Sequence, residues 1–458
     1  MRLSPIIHPE VKEYLQRSDT LSTLTDAMGS PIHVIFPGRI DDNISAFQNV
    51  YEKTGIKGTI HYAAKANKSD AVLEHVAKNS IGVDVSSLHE FRAALSHGII
   101  GHRIGVSGPS KDQRLLLLAL QHESVITIDS PAELEYLIGI LRTYPLEHPA
   151  KIMIRVDGLT DQKSRFGVPR DVLPNLLTKL SSLKHIIHLQ GYSFHLADYS
   201  IEERQRALLV LIHELQKARD AGFPCTTLNI GGGYTVNYIQ EQAWEAFQAS
   251  VDTSTFFKGK QFTDYYPYAT PHAKEAHFEN ILTLTNRFIH KALCEVLREQ
   301  DIHLSIEPGR ALLDQAGITI MRIKNIKTTA HGESLVEVEG NINHLSEQWF
   351  GTDFIPDPLH LPALHSPDFP FEASVSGNTC LEIDMVTWRK ITFNSVPRRG
   401  DLLVYCNTAA YQMDSNESEF HRLPLPEKIT AFKQDGIWRW KKDSQYSILD
   451  SLTPHTHE

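Results

Sequence analysis

Between about residue 33 and residue 310, short β-branched runs alternate with longer amphipathic stretches. The amphipathic stretches carry apolar residues at three- and four-residue intervals, which is typical of helices. Strand–helix units repeated in this number favour an α/β fold with a parallel (β/α)₈ TIM-type barrel. An open doubly wound sheet is the alternative. Candidate strands lie at 32–36, 58–63, 82–85, 104–107, 125–128, 151–156, 189–195, 226–231 and 303–309, and clear helical patterns at 69–79, 87–98 and 130–143.

The sequence pattern changes after about residue 310, where short candidate strands are separated by loops with few helical patterns. We therefore predict a barrel over 33–310 and a second, β-rich domain built from 1–32 plus 311–458. The stretch 251–280 is polar and aromatic without a clear period, as functional loops and plain surface insertions both are. Serines before the helical patterns are candidate N-caps, and Ser130 with Glu133 fits a capping box. These serines are Ser69, Ser87 and Ser130.

Composition excludes several classes of function. The net charge of −10 argues against a nucleic-acid binder, because no basic surface dominates. The longest apolar run, at 115–120, is far shorter than the ~20 residues of a membrane span. The first residues lack a signal-peptide pattern, and the four cysteines lie far apart without zinc spacing. We expect a cytoplasmic protein without a metal site or a membrane partner.

Chemically active residues follow several of the candidate strands. In a barrel, the carboxyl ends of all strands meet at one face, so such residues converge there. Each has an ordinary alternative: a lysine after a strand is usually solvated, a lone histidine is often part of the core, and a glycine run is often only a turn. The candidates are Lys65, Asp84, Arg155, His195, Gly231, Gly232, Gly233 and Glu307.

The three glycines indicate a phosphate site, because backbone N–H groups can approach an anion closely there. A lysine amine opposite a phosphate cradle suggests pyridoxal 5′-phosphate (PLP), held as a Schiff base on Lys65. Glu307 is the candidate carboxylate for the ring nitrogen, and the flat imidazole of His195 could stack on the ring.

Eight motifs occur in the same order as in the fold-type III PLP-dependent decarboxylases, which this chain therefore resembles. That family includes the diaminopimelate, ornithine and arginine decarboxylases and shares its barrel with alanine racemase. The resemblance covers about 32–422 and implies a PLP-dependent lyase acting on an amino acid. It also implies a homodimer with shared active sites. The motifs are "YAAKAN", "GVDVSSLHE", "SRFG", "FHLADYS", "NIGGGY", "IEPGR", "GNTC" and "AAY".

The resemblance carries specific roles onto this chain. Lys65 matches the Schiff-base lysine, His195 the ring-stacking histidine and Glu307 the partner of the pyridine nitrogen. Cys380 matches a cysteine that the second subunit supplies and that helps to steer proton return. Residues that match phosphate-binding positions are Gly231, Gly232, Gly233 and Arg310, with Tyr411 near the phosphate, and residues that match supports of the lysine and ring are Asp84, Glu90 and Arg155.

The chain departs from the family mainly on the substrate side. Leu381 stands where members that act on diamino substrates carry an acid facing the distal amine. Glu382 or Asp384 could compensate, although alternation along an extended segment points Glu382 away from the side of Leu381. A shifted acid with an ordinary substrate is one interpretation. The other, which we favour, is a distal group that is not a free ammonium.

Three further positions differ. Ala197 and Asp198 replace a glycine and serine after "FH", and a carboxylate near a phosphate should turn away or pair with a cation. Ser346, Glu347 and Gln348 follow "NINHL" where an arginine usually binds the far carboxylate, so diaminopimelate is a poor candidate substrate. Near the end, Glu419, Phe420 and His421 replace a tyrosine–asparagine pair. His421 either contacts the substrate or lies on the rim of the site.

We therefore predict decarboxylation of a PLP-bound diamino-acid derivative, with Lys65, Cys380 and His195 as catalytic residues. Candidate substrate-binding residues are Arg310, Leu381, Glu382 and His421. A PLP-dependent racemase or epimerase on the same barrel is one alternative, and a non-catalytic homologue that binds a partner is another. The cysteine in "GNTC" favours decarboxylation over racemisation, and the retained cofactor residues argue against a non-catalytic protein.

Overall fold

The computed structural model describes residues 2–345, 347, 351–362 and 370–446. Its α-helices are α1 (Pro9–Leu15), α2 (Ser18–Met28), α3 (Pro37–Thr54), α4 (Asp70–Lys78), α5 (Leu88–Ser96), α6 (Gln113–Gln121), α7 (Pro131–Thr143), α8 (Leu173–Ser181), α9 (Ile201–Asp220), α10 (Glu241–Ser250), α11 (Lys274–Thr283) and α12 (Leu293–Glu299). Its strands are β1 (Ile32–Ile35), β2 (Gly58–Ala63), β3 (Gly82–Val85), β4 (Ile104–Val106), β5 (Val125–Ile128), β6 (Ala150–Asp157), β7 (Val168–Pro169), β8 (Ile187–Ser193), β9 (Thr227–Asn229), β10 (Thr285–Asn286), β11 (Lys291–Ala292), β12 (His303–Ile306), β13 (Gly317–Thr328), β14 (Ser334–Val338), β15 (Leu359–Leu361), β16 (Phe371–Ser376), β17 (Met385–Phe393), β18 (Leu402–Cys406), β19 (Glu427–Gln434) and β20 (Ile437–Lys442).

Eight parallel strands close into a barrel in the order β2, β3, β4, β5, β6, β8, β9 and β12. Two pairings complete the ring, because β5 pairs with β6 and β12 pairs with β2. The predicted (β/α)₈ barrel is thus confirmed, and the open doubly wound sheet is wrong. Helices connect most successive strands, as the sequence periodicity indicates, and their apolar faces are buried.

The predicted helix starts are largely confirmed, with one difference. The hydroxyls of Ser87 and Ser130 accept the backbone N–H of Glu90 and Glu133, whereas Ser69 precedes α4 without a side-chain cap bond. The capping box at Ser130 does not form. The Glu133 carboxylate accepts the N–H of Asp129 at 2.7 Å and pairs with the buried Lys111, so an ion pair has replaced the reciprocal cap.

The second sheet is mixed and lies in the β-rich part of the chain. Its main path runs β17, β16, β14, β13, β1, β19 and β20, with β18 pairing to β13 and β15. Strand β1, which the alternating pattern includes with the barrel strands, belongs to this sheet. It pairs antiparallel with β13 and parallel with β19, and all four of its residues are buried. The fold class with a β-rich second domain is therefore confirmed.

Contacts divide the described residues into two compact units. The barrel unit holds Asn43–Tyr234 and Lys274–Leu312, and the β-rich unit holds the residues up to Asp42, Thr235–Ala273 and Leu313–Tyr446. The limits 33–310 follow continuous sequence, whereas these units are interleaved along the chain. The segment 235–273 contacts the rest of the β-rich unit through the rings of Tyr238 and Tyr268, which both pack against Phe354.

Within the ranges that the structure describes, no helix has both the length and the apolarity required to span a membrane. The same ranges contain no group of three or more histidine, cysteine, aspartate or glutamate side chains arranged to hold a metal ion.

Candidate active site

Lys65 follows β2 on a single 3₁₀ turn, Ala64–Ala66. Its neighbours Ala64 and Ala66 are buried, while the Lys65 side chain is exposed. Its charge nevertheless acts on the barrel groups around it, since it helps to lower the pKa of His195 and opposes the rise in the pKa of Glu307. A lysine held by a buried backbone with its ammonium near these groups is placed for chemistry at the barrel mouth.

Glu307 follows β12 and is held from both sides. Its carboxylate accepts the amide of Asn229 at 2.6 Å, and its backbone N–H donates to the carbonyl of Gly231 at 2.9 Å. Burial raises the pKa of Glu307, and the Asn229 bond and the charges of Lys65 and Arg155 oppose the rise. A fixed carboxylate of this kind can accept a hydrogen bond from a protonated ring nitrogen.

His195 follows β8, and its Nδ1 accepts the backbone N–H of Gly232 at 3.2 Å. Burial, with the cations Lys65 and Arg204 adding to it, holds the pKa of His195 well below 6.5. The imidazole is therefore neutral near pH 7. Because Nδ1 accepts a hydrogen bond, the proton lies on Nε2.

The glycine loop Gly231–Gly233 follows β9 and admits no side chain. A Cβ at Gly231 would lie 2.7 Å from His195 Nδ1, and one at Gly232 or Gly233 would collide with Glu307 or Arg204. Gly231 and Gly233 also have positive φ, at 67° and 82°, which favours glycine. The Gly231 amide donates to Asn229, whereas the amides of Gly233 and Tyr234 have no acceptor among the described residues.

Asp84 and Arg155 lie on barrel strands that β4 and β5 separate. Asp84, in β3, accepts the Ser107 hydroxyl at 2.7 Å, and its pKa is well above the usual value because of burial and the nearby charge of Glu307. Arg155, in β6, lies 3.8 Å from Asp129 and over the ring of Phe166. Arg155 thus has its orientation set by an anion and an aromatic face.

Two of the other residues expected in the barrel have identifiable places. Arg310 is 7% exposed and begins the 3₁₀ turn Arg310–Leu313, three residues after Glu307. Glu90, in α5, accepts the N–H of Ser86 at 2.8 Å and so braces the loop after β3. At the departure from the family, the Asp198 carboxylate accepts from Gln162 and from the N–H of Ser200, so it is satisfied by amides rather than by a cation.

The remaining predicted residues belong to the β-rich unit. Cys380 is exposed, and its backbone N–H donates to Nε2 of His421 at 3.4 Å. His421 has φ of 60°, and its ring contacts that of Phe420 at a tilt of 57°. Tyr411, with φ of 66°, lies in the turn after β18, where its carbonyl accepts the N–H of Ser415 at 2.8 Å.

Leu381 lies in the loop that carries Cys380 and is 45% exposed. Both nearby carboxylates are engaged elsewhere. Glu382 pairs with Lys258 at 2.7 Å, and the buried Asp384 accepts the hydroxyl of Thr379 at 2.6 Å and the N–H of Ile342 at 2.7 Å. Of the segment after "NINHL", Glu347 is buried beside Gln412, while Ser346 and Gln348 lie outside the described residues.

Several residues of the site had no signal as candidates in the sequence. Asn229 precedes the glycine loop and could have been suspected from its position at a strand end, whereas Ser107 and Asp129 are ordinary loop residues. Arg204 falls in the first turn of a helix, where sequence periodicity gives no reason to select it. Their roles depend on contacts across separate strands.

These features define the class of protein: a barrel enzyme with a lysine, a carboxylate and a glycine loop at one mouth, together with a β-rich unit. The residues fit PLP, because the glycine loop offers unpaired amides and Glu307 is fixed by Asn229. The family described as "Pyridoxal-dependent decarboxylase, pyridoxal binding domain" matches residues 38–314. The chain belongs to this family; it is a PLP-dependent amino-acid decarboxylase, a lyase, and PLP is its cofactor.

Similar proteins span nearly the whole chain. An uncharacterized protein, y4yA, of Sinorhizobium fredii is 33% identical over 407 residues, covering 88% of each chain. Diaminopimelate decarboxylase of Staphylococcus aureus is 22% identical over 428 residues, covering 91% of each. In fold, the chain resembles Helicobacter pylori diaminopimelate decarboxylase complexed with L-lysine, with a TM-score of 0.70, 18% identity, and coverage of 94% of this chain and 99% of the other.

Proposed function

We propose that this enzyme decarboxylates a diamino-acid derivative whose distal group is not a free ammonium. One observation carries the proposal: the Cys380–Asp384 loop presents the exposed side chain of Leu381 and no uncommitted carboxylate. Glu382 pairs with Lys258 at the surface, and Asp384 is buried and accepts hydrogen bonds from Thr379 and Ile342. An ammonium placed against Leu381 would lose water without gaining a counter-charge, which is costly. An acylated nitrogen loses much less, so acylated diamino acids are the proposed class.

We assign the following roles to the residues of the barrel. Lys65 would provide the amine that holds PLP covalently. Glu307 holds a proton at the ring nitrogen, and Asn229 fixes the Glu307 carboxylate. Bound PLP supplies an electron sink for the carbon that loses CO₂. His195, neutral and anchored by Gly232, would offer the ring a flat face that carries no second charge.

The phosphate is assigned to the glycine loop, Gly231–Gly233, with Arg310 and Tyr411. Two amides at the end of this loop lack acceptors in the described chain, and a phosphate oxygen is a strong acceptor for such groups. Asp84, Glu90 and Arg155 keep the lysine and ring in place through their contacts with Ser107, Ser86 and Asp129.

We further propose a homodimer in which Cys380 of one copy serves the barrel of the other, and a cytoplasmic setting. The support is the family resemblance together with the exposure of the Cys380 side chain in the single chain. In this arrangement the Cys380 thiol returns a proton to Cα after CO₂ leaves. His421 accepts the Cys380 N–H and so fixes the loop that carries the thiol.

A substrate comparison tests the proposal. CO₂ release is measured for lysine, ornithine and arginine and for Nε-acetyl-lysine and Nδ-acetyl-ornithine, in deuterated water. We expect the acylated substrates to have the larger kcat/KM and the amine product to carry one deuterium at Cα. Efficient turnover of the free diamino acids would refute the substrate class, and labelled amino acid in place of amine would indicate racemisation.

Leu381→Asp is the matched variant. It restores a carboxylate beside the distal group, so the ratio of kcat/KM for free lysine to that for Nε-acetyl-lysine should rise roughly 10-fold or more. Leu381→Asn has a similar size without the charge and should leave the ratio near that of wild type. Equal ratios in both variants would show that the side chain at 381 does not face the distal group.

A further inference from the structure

Arg204 is a buried cation beside the glycine loop. It lies in the first turn of α9, and the residue is 0% exposed. Its guanidinium donates to three backbone carbonyls, those of Asp198 at 3.1 Å, Ile230 at 3.3 Å and Gly233 at 3.2 Å. It therefore joins the loop after β8 to the loop after β9, at the place where the sequence departs from the family.

The charge of Arg204 has no counter-ion within the part of the chain that the structure describes. Its Nε has no hydrogen-bond partner there, and no carboxylate of those residues forms an ion pair with it. The charge of the Asp198 carboxylate acts on Arg204, but this carboxylate accepts its hydrogen bonds from Gln162 and Ser200, and only the Asp198 carbonyl accepts from the guanidinium. A buried cation without a directly paired anion is costly, and a cation in the first turn of a helix adds to the positive end of the helix dipole. Both costs fall when an anion lies nearby.

The geometry locates that anion at the glycine loop. Gly233 packs directly on the guanidinium, since a Cβ there would collide with it. The C=O and N–H of a trans peptide point in opposite directions. Capture of the Gly233 carbonyl by Arg204 therefore turns the next amide, that of Tyr234, away from the guanidinium, and this amide has no acceptor among the described residues.

On the basis of the phosphate assignment proposed above, we propose that Arg204 is a positioning residue for the cofactor phosphate. It holds the carbonyls of the loop on its own side, leaves the amides for the anion, and provides the positive charge behind them. It acts at the point where Ala197 and Asp198 replace the glycine and serine of the family. Arg204 belongs to cofactor recognition, not to the chemical step.

The test compares PLP with pyridoxal, which lacks the phosphate. Dissociation constants of both are measured by fluorescence titration of the full-length apoenzyme, for wild type, Arg204→Met, Arg204→Lys and the control Arg206→Met. Arg206 lies on the same helix but pairs with Glu203 at 2.9 Å. We expect Arg204→Met to reduce the preference for PLP over pyridoxal by about 10- to 100-fold, because the variant loses the positive charge behind the phosphate and the alignment of the loop amides. Arg204→Lys should retain most of the preference, and Arg206→Met all of it.

Competition by inorganic phosphate gives a second readout. Phosphate should weaken PLP binding in wild type and do so much less in Arg204→Met. An unchanged preference in Arg204→Met, or an equal loss of affinity for PLP and pyridoxal, would overturn the inference. Arg204 would then only stabilise the two loops that it joins. If Arg204→Met does not fold, Arg204→Gln replaces it, and retention by lysine with loss by glutamine supports the role. A wild type that does not prefer PLP to pyridoxal would refute the phosphate assignment itself.

Discussion

The mouth of the barrel and the Cys380 loop differ in how their functional side chains are held. At the barrel mouth, three of the proposed side chains are held by hydrogen bonds: Glu307 by the Asn229 amide, His195 by the Gly232 backbone N–H and Asp84 by the Ser107 hydroxyl. In the Cys380 loop, the polar groups pair with Thr379, Ile342, His421 and Lys258, and the side chains of Cys380 and Leu381 are left exposed. The first arrangement suits one unchanging cofactor, and the second can change its substrate by exchanging a few side chains.

Lys65→Ala gives the largest expected effect and tests whether the barrel mouth holds the cofactor covalently. We expect the visible absorbance band of the bound cofactor to disappear and kcat/KM to fall roughly 10³-fold or more. Lys78→Ala, an exposed lysine at the end of α4, is the control and should keep both the band and the activity. A Lys65→Ala protein with the wild-type spectrum would refute the covalent link.

Glu307→Gln asks whether the barrel mouth depends on charge or only on shape. Glutamine keeps the size of the side chain and removes its negative charge, so kcat should fall on the order of 10²-fold. Asn229→Ala, which removes only the bond that fixes the carboxylate, should cost about 10-fold. An Asn229→Ala loss as large as that of Glu307→Gln would mean that orientation of the carboxylate matters more than its charge.

Mixed assemblies test whether the Cys380 loop serves a second copy. Lys65→Ala and Cys380→Ala proteins are each expected to be nearly inactive. When they are mixed after subunit exchange, random pairing leaves about a quarter of the sites with both residues intact. Recovery of about a quarter of the wild-type activity, measured as CO₂ release, supports sharing between subunits. No recovery despite demonstrated exchange would show that each chain uses its own Cys380.

A pH experiment probes the interior of the barrel, where effects should be smallest. A cavity of about 660 Å³ opens at the amino ends of the strands and is lined by His61, Asp84 and Glu307, among others. Burial lowers the pKa of His61 to about 4, with the neighbouring His303 and Arg103 adding to the shift. Between about pH 4 and 6.5 the unfolded chain therefore binds a proton that the folded chain does not, so this stability is present above pH 6.5 and is lost as the pH falls.

The corresponding variant is His61→Gln, which cannot titrate. The free energy of unfolding, measured by urea denaturation at pH 7 and pH 5, should fall less in His61→Gln than in wild type, by about 1 to 2 kcal/mol. Above pH 7 the difference between the two proteins should be constant. A parallel decline from pH 7 to pH 5 would show that His61 takes up a proton in the folded barrel.

The sequence predicts the barrel well because its information is local. Period and strand length identify β2 to β6, and residues at strand ends such as Lys65, His195 and Glu307 follow from the rule that these ends share a face. The assignment of β1 fails for the same reason. Its apolar run is locally like that of a barrel strand, and only its pairing with β13 and β19 places it in the other sheet.

The site shows the same limit. Arg204 and Asn229 act through carbonyls and amides of other segments, and no local pattern announces such contacts. Glu133 shows how a local rule is overridden: its spacing from Ser130 predicts a capping box, yet the buried Lys111 captures the carboxylate. The committed carboxylates of Glu382 and Asp384 were likewise visible only once Lys258 and Thr379 were placed beside them.

The interleaving of the two units along the chain restricts how this enzyme could be re-engineered. The polypeptide passes from one unit to the other at 42–43, 234–235, 273–274 and 312–313, so neither unit can be excised as a single continuous fragment. The second passage, at 234–235, comes directly after Tyr234, the residue that follows Gly233. Replacing the β-rich unit by that of a relative would therefore require three separate inserts, one of which begins next to the glycine loop. An exchange made to change substrate specificity would thus also alter the chain beside the proposed phosphate site.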